Sequence, residues 1–144
     1  MKESGDTPTG NARVGDVIDH DPEGKFVNAN GTPRENVNEP VPDELERTGR
    51  YFIPLIPESG DILNSGRTAL GIHGGGSKLE NHALDGDQPL VPTLGCPRAS
   101  NRNTATLVSR IADATAAQRN FKVLIDNASR FPVSKMIPRS LGGR

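Results

Sequence analysis

Residues 70–98 contain an apolar run that ends in Ile72-His73-Gly74-Gly75-Gly76 and, after a polar loop, the sequence Pro92-Thr93-Leu94-Gly95-Cys96-Pro97-Arg98. These two pieces bring the only cysteine of the chain together with one of its three histidines. A cysteine is a nucleophile as its thiolate, and a nearby imidazole is the usual group that generates a thiolate at neutral pH. The pairing predicts a cysteine acyl-transfer enzyme with Cys96 as nucleophile and His73 as base.

The residues beside Cys96 indicate how such a site would be built. Gly95 before it and Pro97 after it predict a tight turn that presents a side chain, and the N–H groups of Gly95 and Cys96 are candidates for holding an oxyanion. Thr93 and Arg98 are candidates for ordering this loop or for binding a substrate carboxylate. For Arg98, a structural ion pair is an equal alternative.

The other histidines and the glycine run predict no second site. His20 lies beside Asp21 and His82 lies in the polar loop, so we expect both at the solvated surface. The run at 74–76 lacks the Lys-Ser or Lys-Thr pair of a phosphate-binding loop. We expect it instead to give flexible backbone beside His73.

The composition favours one loop-rich β domain. Of the 144 residues 33% are hydrophobic, and there are 16 glycines, 12 prolines and no tryptophan. The net charge of −1 and the lack of basic runs interleaved with aromatic residues argue against nucleic-acid binding. The sequence shows no membrane span and no signal peptide, and one cysteine cannot form an internal disulfide or a cysteine-rich zinc site.

The hydrophobic pattern predicts short strands and one helix. The prolines at 54 and 57 place the first strand at an edge or a bulge. We also expect a hairpin around the turn residues 21–24 and at most one helical turn at 42–47. The predicted elements are strands at 50–57, 68–73 and 121–126 and a helix at 103–118, with an apolar stripe of Leu107, Ile111, Ala114 and Ala117 or Gln118.

Taken together, these motifs resemble a known family. The order His73-Gly74, a loop, and Thr93-Leu94-Gly95-Cys96-Pro97-Arg98 is similar to the signature of the L,D-transpeptidase catalytic domain, the YkuD-like family. Upstream, Thr7-Pro8-Thr9-Gly10 resembles the Thr-Pro-x-Gly element that precedes the active site in that family. The resemblance covers about residues 4–127, and the long stretch at 75–92 implies a loop insertion near the substrate cleft.

The resemblance implies a fold and an organisation. The expected fold is mainly β with one helix, an L,D-transpeptidase-like β-sandwich with a loop-rich periphery. The catalytic domain would occupy residues 1–127. A loosely held basic tail would occupy residues 128–144.

The resemblance also implies a reaction. The thiolate of Cys96, deprotonated by His73, would attack the carbonyl that joins an L-configured centre to a terminal D-amino acid in a peptidoglycan stem peptide. An amine would resolve the thioester to give a cross-link or an exchanged D-amino acid, and water would give L,D-carboxypeptidase action. Gly74 would let the substrate approach closely.

The oxyanion would be held by the N–H groups of Gly95 and Cys96. Thr93 and Arg98 would order the loop, with Arg98 facing a stem carboxylate. No metal and no organic cofactor is implied.

The expected partners are peptidoglycan stem peptides, and the expected site of action is the periplasm or the cell wall. Because the sequence has no recognised export signal, the hypothesis includes an effector or a phage wall enzyme. An effector would have a delivery machinery and an immunity protein as further partners. The alternative from another class is a non-catalytic wall-binding or structural module in which Cys96 is a core thiol.

Overall fold

The computed structural model describes residues 7–76, 82–90, 93 and 95–126. The basic tail predicted at 128–144 lies outside the described residues. In chain order the elements are β1 (Gly10–Val14), β2 (Ile18–Asp19), α1 (Asp43–Thr48), β3 (Tyr51–Ser59), α2 (Asp61–Asn64), β4 (Gly71–His73), α3 (Asn101–Ala116) and β5 (Lys122–Ile125).

The sheet is built around β3. This strand pairs antiparallel with β1, β2 and β4, and β1 also pairs antiparallel with β5. The described strands therefore form an open, antiparallel sheet of five strands, which agrees with the expected mainly β architecture. The predicted strand at 121–126 is confirmed as β5, whereas β4 covers only the last part of the strand predicted at 68–73.

The two prolines of β3 lie in an interior strand. Pro54 is opposite Gly71, and Pro57 is opposite Ala12, where the register of β1 shifts next to Asn11. A proline has no N–H to donate to a ladder, so strands tolerate it where the pairing is interrupted. Of the two predicted alternatives, an edge or a bulge, the bulge is present: Glu58, next to Pro57, has no partner between Asn11 and Ala12 of β1.

The described residues form three helices, whereas the sequence predicts one helix and at most one helical turn at 42–47, where α1 lies. In α1, Leu45 is buried, and acidic residues in the first turn with Arg47 in the last turn complement the helix dipole. The short helix α2 buries Ile62. Both helices are too short for a helical period to show in the sequence. Each is instead stabilised by the burial of one apolar side chain.

The long helix α3 begins and ends two residues earlier than predicted. Ser100 is its N-cap, because the hydroxyl oxygen of Ser100 accepts a hydrogen bond from the Asn103 N–H at 3.0 Å. Ile111 and Ala114 of the predicted stripe are buried, Leu107 is half-buried, and Ala117 and Gln118 are exposed. The buried face instead begins at the start of the helix and consists of Asn101, Thr104, Ala105, Ile111 and Ala114.

One hydrophobic cluster supports both the sheet and the cysteine. Its buried members come from β1, β3, α2 and the residue before β4, and they are Ala12, Leu55, Ile62 and Leu70. The partly buried side chains that pack against them are Ile72, Cys96, Val123 and Ile125. The cysteine loop is thus attached to the same core as the strands.

The hairpin predicted around residues 21–24 is not formed. The buried carboxylate of Asp21 instead accepts hydrogen bonds from the N–H groups of Lys25, Phe26 and Val27 at 2.8–2.9 Å. These bonds satisfy backbone groups that a hairpin would otherwise pair. A side chain therefore organises this turn.

Candidate active site

A β-bridge joins the histidine strand to the segment that follows the cysteine. His73, the last residue of β4, is bridged in parallel to Arg98. The His73 N–H donates to the Pro97 carbonyl at 3.2 Å, and the Ala99 N–H donates to the His73 carbonyl at 2.9 Å. The two motifs singled out in the sequence therefore lie side by side, with Cys96 directly before the paired segment.

His73 belongs to a row of side chains that crosses the sheet. Ile18 is opposite Phe52, Phe52 is opposite His73, and His73 is opposite Arg98. Side chains at directly opposed positions lie on one face of a sheet. The rings of Phe52 and His73 are stacked with their centroids 5.8 Å apart and their planes 19° apart. The imidazole is therefore held between an aromatic ring and the arginine segment.

A backbone carbonyl sets the tautomer of His73. The Nδ1 atom is 2.8 Å from the carbonyl oxygen of Gly74. Because a carbonyl oxygen only accepts, Nδ1 carries the proton in this bond and Nε2 remains a hydrogen-bond acceptor. This is the tautomer that a base acting through Nε2 requires.

The surroundings of His73 favour its neutral form. The side chain is buried, and burial lowers the pKa of His73. The Gly74 carbonyl opposes that shift, while the positive charge of Arg98 and the neighbouring His20 lower the pKa of His73 further. At neutral pH the imidazole is therefore uncharged and able to accept a proton.

Cys96 is half-buried beside the hydrophobic cluster. Its thiol Sγ lies 3.7 Å from the carbonyl oxygen of Ala69. Among the described residues, no hydrogen bond joins the Cys96 and His73 side chains, and no group accepts one from the Cys96 N–H. The structure thus places the two residues in neighbouring segments without linking their side chains directly.

Thr93 organises the turn before Cys96. Its hydroxyl donates to the Cys96 carbonyl at 2.5 Å and accepts from the Gly95 N–H at 3.2 Å. The Gly95 N–H, predicted to hold an oxyanion, is therefore already bonded within the loop. The Cys96 N–H is the remaining backbone donor of the predicted pair.

The upstream Thr-Pro-x-Gly element contacts this same loop. The Thr7 hydroxyl donates to the Gly95 carbonyl at 2.7 Å, and Pro8 is fully buried. Gly10 has φ +134°, and a β-carbon there would overlap the Ser59 carbonyl. Two motifs that are far apart in sequence are therefore in contact, and the glycine is required by its backbone angle and its close packing.

The glycine run after His73 is fixed by hydrogen bonds, contrary to the expected flexibility. The Gly74 N–H donates to the Thr48 carbonyl at 2.9 Å, and the Gly76 N–H donates to the Glu46 carbonyl at 2.7 Å. A β-carbon on Gly74 would lie 3.0 Å from Cγ of Asn101. The side chain of Asn101 thus takes the space beside Gly74, and this close packing accounts for a glycine here. The role of Gly74 in admitting substrate stays a prediction.

The buried amide of Asn101 links three segments and was not singled out in the sequence. Its Oδ1 accepts from the Gly75 N–H at 2.8 Å, and its Nδ2 donates to the carbonyls of Ala83 and Asp85 at 2.8 and 2.7 Å. All three groups that bond to the side-chain amide of Asn101 are backbone groups. Asn101 therefore positions the glycine loop after His73 against the polar loop and the start of α3.

Gln88 forms a second buried amide beside Asn101. Its Oε1 accepts from the Asn101 N–H at 2.7 Å, and its Nε2 donates to the Gly75 and Ala99 carbonyls at 3.0 and 3.1 Å. Ala99 is itself bonded to His73. No sequence signal identifies Gln88, because its partners are backbone atoms of distant loops.

Arg98 is bound to the end of α1. Its Nη2 donates to the Arg47 carbonyl at 2.9 Å, which satisfies a carbonyl near a helix C-terminus. Burial lowers the pKa of Arg98, and the negative charge of a Cys96 thiolate opposes this shift. This placement supports the loop-ordering role predicted for Arg98.

The remaining histidines occupy different environments. The His82 side chain is exposed and its Nδ1 lies 2.8 Å from Asp85 Oδ2, in agreement with the predicted surface position. His20 lies 3.7 Å from Glu44, and its side chain is only 16% exposed. The surface prediction for His20 is therefore wrong.

In the part of the chain that the structure describes, no group of three or more His, Cys, Asp or Glu side chains could hold a metal ion. The helices described there are too short or too polar to cross a membrane. Comparison with models of known protein families, with characterised proteins and with solved structures finds no match.

Proposed function

We propose that this chain is a cysteine acyltransferase that acts on peptidoglycan stem peptides, with Cys96 as nucleophile and His73 as base. The observation that carries the proposal is the β-bridge that places the His73 strand beside the segment directly after Cys96. The resemblance of the two motifs to the L,D-transpeptidase signature supplies the substrate class. The sandwich fold of that family and action in the periplasm or cell wall are parts of the same proposal.

The reaction begins when His73 Nε2 takes the thiol proton of Cys96. The sulfur bonds to the carbonyl carbon between the L-centre and the terminal D-amino acid, and the resulting oxyanion accepts a hydrogen bond from the Cys96 N–H. The carbon–nitrogen bond then breaks, the leaving amine takes the proton from His73, and a thioester remains.

The second half of the reaction reuses the same groups. His73 takes a proton from an incoming amine or water, which attacks the thioester carbonyl. The carbon–sulfur bond breaks, and the thiolate recovers the proton from His73. An amine gives a cross-link or an exchanged D-amino acid, and water gives a shortened stem peptide.

The proposal requires a local rearrangement of the thiol. Sγ lies near the Ala69 carbonyl in this structure, and proton transfer requires it to turn towards His73.

A non-catalytic wall-binding or structural module is the second candidate. The observation that favours it is the packing of Cys96 against the hydrophobic cluster, as a core thiol would pack. In that case the buried amides of Asn101 and Gln88 would only stabilise the fold. The two candidates differ in whether the folded protein uses Cys96 chemically.

The deciding experiment incubates the protein with a tetrapeptide stem that ends in D-alanine. Release of D-alanine, shortened or cross-linked peptides, and an adduct on Cys96 by mass spectrometry are expected for the wild type. Cys96→Ala should lose all three while keeping its circular dichroism spectrum. A wild-type protein that forms no product and takes no label on Cys96 from a carbapenem or an alkylating reagent would support the structural module.

A further inference from the structure

Arg67 lies against the nucleophile loop. It follows α2, and its N–H donates to the Ser65 hydroxyl at 3.2 Å. A β-carbon built on Gly95 would lie 2.7 Å from both Cζ and Nη1 of Arg67. The guanidinium therefore occupies the space beside Gly95, one residue before Cys96, and a larger residue at position 95 would displace it.

The same short segment also contacts the sulfur. Ala69, two residues after Arg67, offers its carbonyl to Cys96 Sγ at 3.7 Å. Ala69 has φ +60°, a backbone angle that non-glycine residues rarely adopt. Residues 67–69 thus run along the cysteine turn, with a cation at Gly95 and a carbonyl at Cys96.

We infer that Arg67 binds a carboxylate of the substrate beside Cys96 and so selects peptides whose departing residue ends in a free carboxylate. This inference rests on the proposed acyl-transfer function and adds the group that recognises the substrate. A terminal amino acid has only one carbon between its nitrogen and its carboxylate, so a cleaved terminal bond places an anion close to the nucleophile. A guanidinium matches a carboxylate with two parallel hydrogen bonds.

Arg98 does not bind the substrate carboxylate in this proposal. Its Nη2 is bonded to the end of α1, and it orders the segment after Cys96. Arg67 contacts the turn at Gly95. The sequence motif draws attention to Arg98, whereas the contact with Gly95 points to Arg67.

The first test compares two alkylating reagents on native Cys96, the anionic iodoacetate and the neutral iodoacetamide. Both report the accessibility and the thiolate fraction of Cys96, so their rate ratio isolates the effect of a carboxylate. Even at the dielectric constant of water, a unit positive charge about 6 Å away raises the rate at which an anion reacts by roughly threefold. We expect Arg67→Gln to lower the iodoacetate to iodoacetamide ratio by about this factor or more.

The matched control is Arg119→Gln, which removes the same charge from an exposed position after α3. It should leave the ratio unchanged. High salt should lower the wild-type ratio towards that of Arg67→Gln, because salt screens the charge. An unchanged ratio in Arg67→Gln, or an equal fall in Arg119→Gln, would overturn the inference.

The second test uses stem peptides that end in D-alanine or in D-alanine amide. Wild type should prefer the free carboxylate in kcat/KM, and Arg67→Gln should lose that preference. Arg67→Lys should retain the alkylation ratio but lose part of the peptide preference, because an ammonium lacks the two-pronged geometry. Equal use of both peptides by wild type would overturn the substrate assignment.

The two tests separate this inference from the proposed function. If wild type cleaves neither peptide but the alkylation ratio depends on Arg67, the proposed function fails and the anion site stands. If stem peptides are cleaved through Cys96 with no dependence on Arg67 in either test, the function stands and the inference fails.

Discussion

His73 donates its Nδ1 proton to the carbonyl oxygen of Gly74, the next residue in the chain, at 2.8 Å. That carbonyl is itself held in place, because the Gly74 N–H is bonded to Thr48 in α1 and Asn101 packs beside Gly74. The orientation of the imidazole therefore depends on the packing of a glycine loop against a helix end. In the proposed mechanism, a neutral backbone group would take the place of the carboxylate that orients the base in many catalytic triads.

Replacing His73 tests the base. We expect His73→Gln to lower kcat/KM for stem peptides by about 10²–10⁴-fold, the usual contribution of general acid–base catalysis. Because burial lowers the pKa of His73, the acid limb of the wild-type pH profile should lie below the ordinary histidine pKa of 6.5. Steady-state rates across pH would measure both effects.

The control for this variant is His82→Gln, which changes an exposed histidine paired with Asp85. It should retain wild-type rates and the wild-type pH profile. Equal loss of activity in both variants would show that His73 is not the specific base.

Asn101 is expected to be the most important polar side chain for stability. Asn101→Ala leaves the Gly75 N–H and the carbonyls of Ala83 and Asp85 without their partner. Unsatisfied buried groups cost about 1–3 kcal/mol each, so we expect a loss of about 3 kcal/mol or more in the free energy of unfolding. Urea unfolding followed by circular dichroism measures this value.

Asn103→Ala is the matched control for Asn101→Ala. Asn103 is an exposed residue of the same helix, and only its backbone N–H bonds the N-cap. We expect a change within about 0.5 kcal/mol. A similar loss in both variants would show that the hydrogen bonds of the buried Asn101 amide are not the cause, because alanine is the better helix former at both positions.

The residues that could be identified from the sequence carry local signals, whereas the residues that were missed act through contacts between segments far apart in the chain. Cys96 and His73 stand out because their types and neighbours carry chemistry, and β5 and α3 are found because apolar spacing is a local signal. The amide of Asn101 is bonded to backbone atoms of loops that are distant in sequence, and no residue pattern records such contacts. Arg67 was missed for the same reason, since only the fold brings it to Gly95.

The glycine run shows a related limit of sequence reasoning. Three glycines predicted flexible backbone, but their N–H groups are bonded to α1 and to Asn101. A glycine is compatible with a flexible loop and also with close backbone packing. The choice between them depends on a neighbouring helix whose approach the sequence does not reveal.

Gly75→Ala tests whether close packing requires the glycine. Gly75 has φ +73°, and an added β-carbon would lie 2.6 Å from the Arg47 carbonyl oxygen. The variant therefore combines an unfavourable backbone angle, which costs about 1–2 kcal/mol, with overlap against α1. We expect a loss of more than about 3 kcal/mol in the free energy of unfolding, measured by urea denaturation.

Gly66→Ala separates the two contributions. Gly66 has φ +69°, but nothing lies within 4 Å of its added β-carbon. Only the backbone cost of about 1–2 kcal/mol is expected there. If both alanine variants lost the same stability, the packing of Gly75 on α1 would be unimportant.

Asp21 is expected to make the stability depend on pH. Burial alone would raise the pKa of Asp21, but N–H bonds from Val27, Phe26 and Lys25, with the charge of Arg50, hold it below the ordinary value of 3.8. A carboxyl whose pKa is lowered on folding stabilises the fold above its unfolded pKa and loses that effect as pH falls through the folded pKa. Hydrogen bonds to charged groups contribute about 1.5–3 kcal/mol, so Asp21→Asn should lose about 2 kcal/mol at pH 7.

The pH dependence of that loss is the decisive measurement. Urea unfolding of wild type and Asp21→Asn should differ by a constant amount above pH about 5, and the difference should shrink as the pH falls below 3.8. The exposed Asp16, changed to Asn, removes the same charge between β1 and β2 and should alter stability by less than about 0.5 kcal/mol throughout. A difference between wild type and Asp21→Asn that persists undiminished into acid would mean that the ionised carboxylate does not organise the turn at 21–27.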